Sequence, residues 1–228
     1  MLKAKKSRWF EKIFTLYNRN LLKRRFDSFN VRGLKNLVNS NSNIPQIIYS
    51  NHSGWWDGLL IYEICKKLNL DFYVMMEEKQ LKSLSFFRKI GAFSVVREKP
   101  REAVRSINYA ASILREIPKK TLLIFPQGEI QPNERRPLKF FNGLSRIIEK
   151  AGECEIIPIA IRYEFRGEFK PEIYVDIGNP KIIANLKDFD ARAATIGFEN
   201  QTTDLLDNLY NDITTENFAD FDNLFESR

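Results

Sequence analysis

QIIYSNHSGWWDGLLIYEICKKL, residues 46–68, brings two periodicities together around the only histidine of the chain. QIIYS (46–50) is a short apolar run with β-branched Ile47 and Ile48, the pattern of a buried strand. DGLLIYEICKKL (57–68) is longer, and its apolar residues recur at helical spacing. Strand, short loop and helix in that order form the first half of a crossover unit, the connection that parallel strands require.

The same alternation continues along the chain. DFYVMM (71–76), AFSVV (92–96), TLLIF (121–125), EIIPIAIRYE (155–164) and EIYVDIG (172–178) read as strands. EKQLKSLSFFRKI (78–90), PREAVRSINYAASILREI (100–117) and LKFFNGLSRIIEKAG (138–152) read as helices, the last closed by Gly152 as a C-terminal cap. TTDLLDNLYNDI (202–213) reads as an acidic amphipathic helix. We therefore expect an α/β fold with a largely parallel central sheet flanked by helices, preceded by an N-terminal amphipathic helix. The expected divisions are a basic segment at 1–36, the main domain at 37–196 and an acidic helical segment at 197–228.

SRWFEKIFTLYNRNLLKRRF (7–26) is helical in pattern. Phe10, Ile13, Phe14, Tyr17 and Leu21 share a face, widened by Trp9, Leu16, Leu22 and Phe26. Arg8, Lys12, Arg19, Lys23, Arg24 and Arg25 flank it. An aromatic face bordered by cations describes a helix lying in the interface of an anionic membrane. The competing reading is a surface helix docked on its own domain.

Charge is distributed unevenly. The formal net charge is +7, yet residues 1–36 carry eleven Lys/Arg against Glu11 and Asp27, and the last 32 residues are acidic. Basicity concentrated on one aromatic helix, with no recognised nucleic-acid module, argues against a nucleic-acid partner. Two cysteines, Cys65 and Cys154, make no disulfide framework in 228 residues and read as core thiols of a reducing compartment. No signal-peptide core and no apolar run of about 18 residues is present. A cytoplasmic location at the inner face of a membrane, without a spanning helix, is the expectation. With one histidine and two distant cysteines, no metal is expected. No GxSxG elbow, Walker loop or GxGxxG occurs, so no nucleotide cofactor is expected either.

His52 lies in the loop at the carboxyl end of a strand, where open α/β sheets place ligands. Asp57 lies at the entrance of the following helix. An aspartate on one ring nitrogen fixes the tautomer and leaves the other nitrogen to accept a proton, which makes a general base without a protein nucleophile. The spacing also fits an ordinary N-cap at Asp57 and a hydrogen-bonded turn histidine at His52.

NHSGWWDG (51–58) resembles the first block, Asn-His-x4-Asp, of the glycerolipid acyltransferases, the lysophosphatidic-acid acyltransferase-like family. GAFSVVR (91–97) resembles its second block, FPQG (125–128) its Phe-Pro-Glu-Gly third, and IIPIAI (156–161) its apolar fourth, in order over residues 45–165. The resemblance implies acyl transfer from acyl-CoA or an acyl-carrier protein to a lipid hydroxyl, with His52 and Asp57 as the catalytic pair. It implies that Arg97, Gln127, Gly128 and Glu129 meet the acceptor, and that Asn51 supports the loop or the oxyanion. For Arg97 the alternative is a surface arginine paired with Glu98 or Glu102. The family carries Glu where Gln127 stands, and Thr-Arg where Glu129 and Ile130 stand. Glu129 adds an anion beside the expected phosphate, which points to acceptors with less phosphate, a glycolipid among them, unless Arg135, Arg136 or Lys139 compensates. A non-catalytic lipid-binding or scaffolding protein on the same fold is the alternative.

Overall fold

β2 (Gln46–Ser50) is buried along its whole length because it has a strand on each side and helices over both faces. Its neighbours, β5 (Thr121–Ile124) and β6 (Cys154–Glu164), both run parallel to it. In the computed structural model, which describes residues 1–38, 44–116, 119–184 and 186–226, these strands form the middle of a nine-stranded sheet. β3 (Phe72–Glu77) and β4 (Ala92–Val95) extend it in parallel on one side. On the other, β7 (Glu172–Ile177) pairs antiparallel with β6, β1 (Phe29–Arg32) pairs parallel with β7, and β9 (Asp222–Asn223) closes the edge antiparallel to β1. β8 (Lys181–Ile183) pairs antiparallel with the start of β6. Continuous apolar runs such as IIPIAI follow from burial on both faces, as parallel sheets require.

Alternate residues feed the two layers. Ile48, Leu123, Ile157 and Ile159 point toward α1 (Arg8–Arg25), α3 (Asp57–Lys67), α4 (Glu78–Ser83) and a 3-10 helix (Ser85–Ile90). Ile47, Tyr49, Leu122 and Ile156 point toward α5 (Pro100–Leu114) and α6 (Gly143–Ala151), where Phe198 of α7 (Ala191–Thr214) joins them. The sheet is largely parallel and flanked by helices, as expected.

Several elements differ from the sequence reading. The helix expected over 78–90 is broken at Leu84 into α4 and the 3-10 helix, which turns Phe87 and Ile90 into the core. The helix expected from 138 begins only after Asn142, because Leu138 is held in the cluster around Leu206 and Leu209 and the Phe141 N–H binds Pro126 O. α7 begins eleven residues before its expected start, capped by Asp190, whose carboxylate accepts from Arg192 N and Ala193 N. Ile117, the expected end of α5, lies outside the described residues. A short helix, α2 (Lys35–Val38), follows β1 and was not expected. The boundaries drawn at 36/37 and 196/197 do not separate structural units. Phe14, Leu22, Phe26, Phe29 and Val31 share one core cluster with α3, and the second boundary cuts α7.

α1 docks through Phe14, Asn18 and Leu22, all buried. Leu22→Ala should therefore lower the unfolding free energy by about 2–5 kcal/mol, since it opens a cavity in the core. Trp9→Ala, at a side chain 71% exposed, should stay within about 0.5 kcal/mol. Chemical denaturation of the two variants checks this, and equal effects would refute the docking of α1.

Candidate active site

The parallel strands β4, β5 and β2 deliver Arg97, residues 125–129 and Asn51–His52 to one edge of the sheet. Here β2 passes into α3 through a tight loop closed by Asp57 N–H on Gly54 O at 3.2 Å.

Asp57 is fully buried, yet each of its oxygens is matched. Oδ2 accepts from His52 Nδ1 at 2.8 Å, Ser53 N at 2.8 Å and Gly54 N at 2.9 Å. Oδ1 accepts from the Tyr163 hydroxyl. The N-cap of α3 is Trp56, so Asp57 binds the loop that precedes it rather than capping the helix in the usual way. Its negative charge also lies in the first turn of α3, which the helix dipole favours. Burial first, and then the charge of Asp57, holds the Tyr163 phenol well above its ordinary range, which keeps its O–H a donor.

The His52 ring stacks on Phe125 with centroids 4.2 Å apart and planes inclined by 17°. With Nδ1 on Asp57, Nε2 has no hydrogen-bond partner among the described residues, and His52 lines a cavity of about 690 Å³. The backbone of His52 is clamped too: its N–H donates to Gln127 Oε1 at 2.7 Å and its carbonyl accepts from Gln131 N at 2.8 Å.

Asn51 is buried, and all of its amide is engaged. Nδ2 donates to Ile161 O and Asn133 Oδ1, and Oδ1 accepts from Ile161 N, each at 2.9 Å. This ties the loop to β6 and leaves neither amide hydrogen for an oxyanion.

Arg97, Gly128 and Glu129 line the cavity with His52, whereas Gln127 does not. Gln127 is turned inward because its amide is used twice, by His52 N and by Gln131 Oε1 at 3.1 Å. Gly128 has φ +70°, and a Cβ there would lie 2.2 Å from Arg97 Nη1. Glycine thus serves both the backbone turn and the seat of the guanidinium. Arg97 lies 5.2 Å over Phe141 and pairs with neither Glu98 nor Glu102; Glu102 goes to Arg105 and the N-terminal amine instead. Apart from Glu77, Gln80 and Asn142, the rest of the wall is mainly apolar, with Leu59, Tyr62, Phe72, Val74, Phe87 and Ile90. Among the described residues no group of three His, Cys, Asp or Glu is placed to hold a metal.

Tyr163 and Gln131 belong to the site and were not singled out in the sequence, and Phe125, quoted there only as the first residue of FPQG, supplies the face on which His52 stacks. Gln131 lies only four residues from Gln127, a spacing that could have drawn attention to it. Tyr163 is 106 residues from Asp57, and only the pairing of β6 with β2 brings it there.

A family model described as Acyltransferase matches residues 28–162, more than half of the chain, from the approach to β1 into β6. No curated relative matches the chain at a significant level. The matched span contains the His52–Asp57 loop, Arg97 and the 125–131 turn, and on that match the chain belongs to the glycerolipid acyltransferase family, the lysophosphatidic-acid acyltransferase-like group.

Proposed function

We propose that this acyltransferase works at a membrane surface and moves an acyl group from a thioester donor, acyl-CoA or an acyl-carrier protein, to a hydroxyl of a lipid acceptor. The acceptor is a lysophospholipid, a glycerol-phosphate compound or a glycolipid. The observation that carries the reading is the free Nε2 of His52, oriented by Asp57, at the polar end of an apolar cavity large enough for an acyl chain.

In this reading His52 Nε2 takes the proton of the acceptor hydroxyl as its oxygen attacks the thioester carbonyl. The C–S bond then breaks, and the imidazolium returns the proton to the departing thiolate. Asp57 fixes the tautomer and stabilises the imidazolium. Asn51 and Gln127 hold the His52 loop in place, and Arg97 faces the acceptor headgroup. No protein nucleophile is involved. Cys65 and Cys154 are buried free thiols, and burial pushes both up to about 12.

Membrane attachment is supported by the outer face of α1. Trp9, Ile13, Leu16 and Tyr17 are exposed on the side opposite Phe14, Asn18 and Leu22, and Arg8, Lys12, Arg19, Lys23 and Arg24 border them. Phe86 adds a second exposed ring, packed against Phe10 and Phe14 on the docked side of α1, and Trp55, half exposed, lines the cavity next to Phe87. Among the described residues no helix is long and apolar enough to cross a membrane. We assign the protein to the cytoplasmic face on the strength of its two free thiols.

His52→Ala should lower kcat by about 10²–10⁴-fold with the fold retained, and Asp57→Asn should fall in the same range. Turnover near wild type in purified, folded His52→Ala would sink the mechanism.

Tyr163→Phe removes the donor on Asp57 Oδ1 and leaves that buried carboxylate oxygen without a partner, which loosens the hold of Asp57 on the His52 ring. kcat should fall by about tenfold while the acceptor KM stays near wild type. A kcat equal to wild type would make Tyr163 a packing residue only.

Replacing Trp9, Ile13 and Leu16 together by Ala should release the protein from anionic vesicles. Each neighbouring cation contributes up to about 1 kcal/mol of the attraction, so wild-type binding should weaken with salt without vanishing. Vesicle co-sedimentation measures both. Wild-type protein that stays in the supernatant at low salt would refute attachment through α1.

A further inference from the structure

The mouth of the cavity carries a balance of charge unsuited to phosphate alone. Its charged walls beside His52 are Glu77, Arg97 and Glu129. Glu77 ends β3, and its register partner on β4 is Val95, two residues before Arg97. Glu129 follows Gly128, the residue on which Arg97 is seated. Glu77 and Glu129 thus line the same cavity as the guanidinium. Even so, among the described residues neither Arg97 nor Glu77 makes an ion pair or a side-chain hydrogen bond, and Glu129 accepts only one, from Gln131 Nε2 at 2.9 Å. The basic residues that might have offset Glu129 do not reach the cavity: Arg135, Arg136 and Lys139 are absent from its wall, and Arg136 is bound to Asp207. Two carboxylates therefore share the cavity wall with one guanidinium.

A phosphomonoester brought here gains one favourable partner and meets two like charges, and the half-buried setting of Arg97 and Glu77 strengthens their interactions more than that of the exposed Glu129. A headgroup with an ammonium beside an anion satisfies every group, the anion on the Arg97 fork and the ammonium on Glu77 and Glu129. We propose that the acyl acceptor is a zwitterionic hydroxyl lipid recognised by Glu77, Arg97 and Glu129; the proposal rests on the acyl-transfer reading above. The two carboxylates keep the amine protonated, so it anchors rather than attacks. The hydroxyl is left to face His52, and the product is an ester, not an amide.

Three acceptors with the same glycerol hydroxyl test this: lysophosphatidylethanolamine, which is zwitterionic, lysophosphatidylglycerol, which is anionic without an amine, and lysophosphatidic acid, a phosphomonoester. Each is offered to the full chain with one acyl group carried on CoA and, in parallel, on acyl-carrier protein. His52→Ala is the control for protein-dependent transfer. The expected result is the highest kcat/KM for lysophosphatidylethanolamine and the lowest for lysophosphatidic acid, with the amine of the product still free. Glu77→Gln, nearly isosteric, should raise KM for the zwitterion by about tenfold and lower KM for lysophosphatidic acid. A preference for lysophosphatidic acid, equal use of all three, or a Glu77→Gln variant with unchanged discrimination overturns the inference and leaves acyl transfer standing. Absence of transfer to any acceptor from either donor overturns the acyl-transfer reading and this inference with it.

Discussion

Asp57 is sealed from solvent, and an ionised carboxylate in that position costs several kcal/mol unless donors match its oxygens. The donors come from two places. His52, Ser53 and Gly54 belong to the loop Asp57 itself closes, and Tyr163 belongs to β6. Asn51 makes a second link to the same strand through both backbone groups of Ile161. The shape of the loop, the tautomer of His52 and the pairing of β2 with β6 therefore depend on one another. Asp57→Ala would strand three N–H donors and a phenol around an empty space, whereas Asp57→Asn keeps the volume and disturbs the charge. The conservative substitution is thus the one that reports on chemistry.

α1 docks on its own domain, one of the two readings that the sequence left in competition, and keeps an apolar stripe outside that the proposed membrane contact would use. An amphipathic helix with a single apolar stripe must give it either to the core or to a membrane. This helix has two stripes, because Phe14 and Leu22 lie opposite Trp9, Ile13 and Leu16. Asn18 separates the roles by donating to Leu59 O and to Glu63 Oε2, which pins the rotation of α1 against α3. Burial lifts the Glu63 carboxyl above its usual range, even with Asn18 and nearby cations acting in the other direction. Rotating α1 to bury Trp9 would strand that pair. The outward stripe is therefore a fixed property of the docked helix, and removing residues 1–26 would damage the core as well as any membrane contact.

How much could be read from the sequence followed the distance between interacting residues. The central strands were legible because burial on both faces leaves unbroken apolar runs of β-branched residues. His52 and Asp57 were legible because five residues of chain join them. β1 was not, since FNVR is four residues long and gains its place only by pairing with β7. The first half of α7 was not, since Thr195, Ile196 and Gly197 have weak helical preference. Burial of Ala191, Thr195, Phe198 and Thr202 along one face stabilises it there. Gln127 was expected to face the acceptor because it occupies the carboxylate position of the block that FPQG resembles. Its direction is set instead by hydrogen bonds to His52 and Gln131, which the linear pattern does not display.

Those hydrogen bonds show why the departures in the third block belong together. A carboxylate can only accept, so Glu129 takes a hydrogen from Gln131 Nε2. That fixes Gln131 Oε1 as the acceptor for Gln127 Nε2, and Gln127 Oε1 as the acceptor for His52 N–H. Direction thus passes from the exposed Glu129 inward to the backbone of the histidine. A glutamate at 127 would still accept from His52, but it has no hydrogen for Gln131. Gln131 would have to turn its amino group inward and leave Glu129 without a donor. The amide at 127 is what allows a carboxylate at 129 to be held in place through Gln131. Gln127, Glu129 and Gln131 therefore act as one unit, and the charge at the mouth of the cavity is coupled to the positioning of His52.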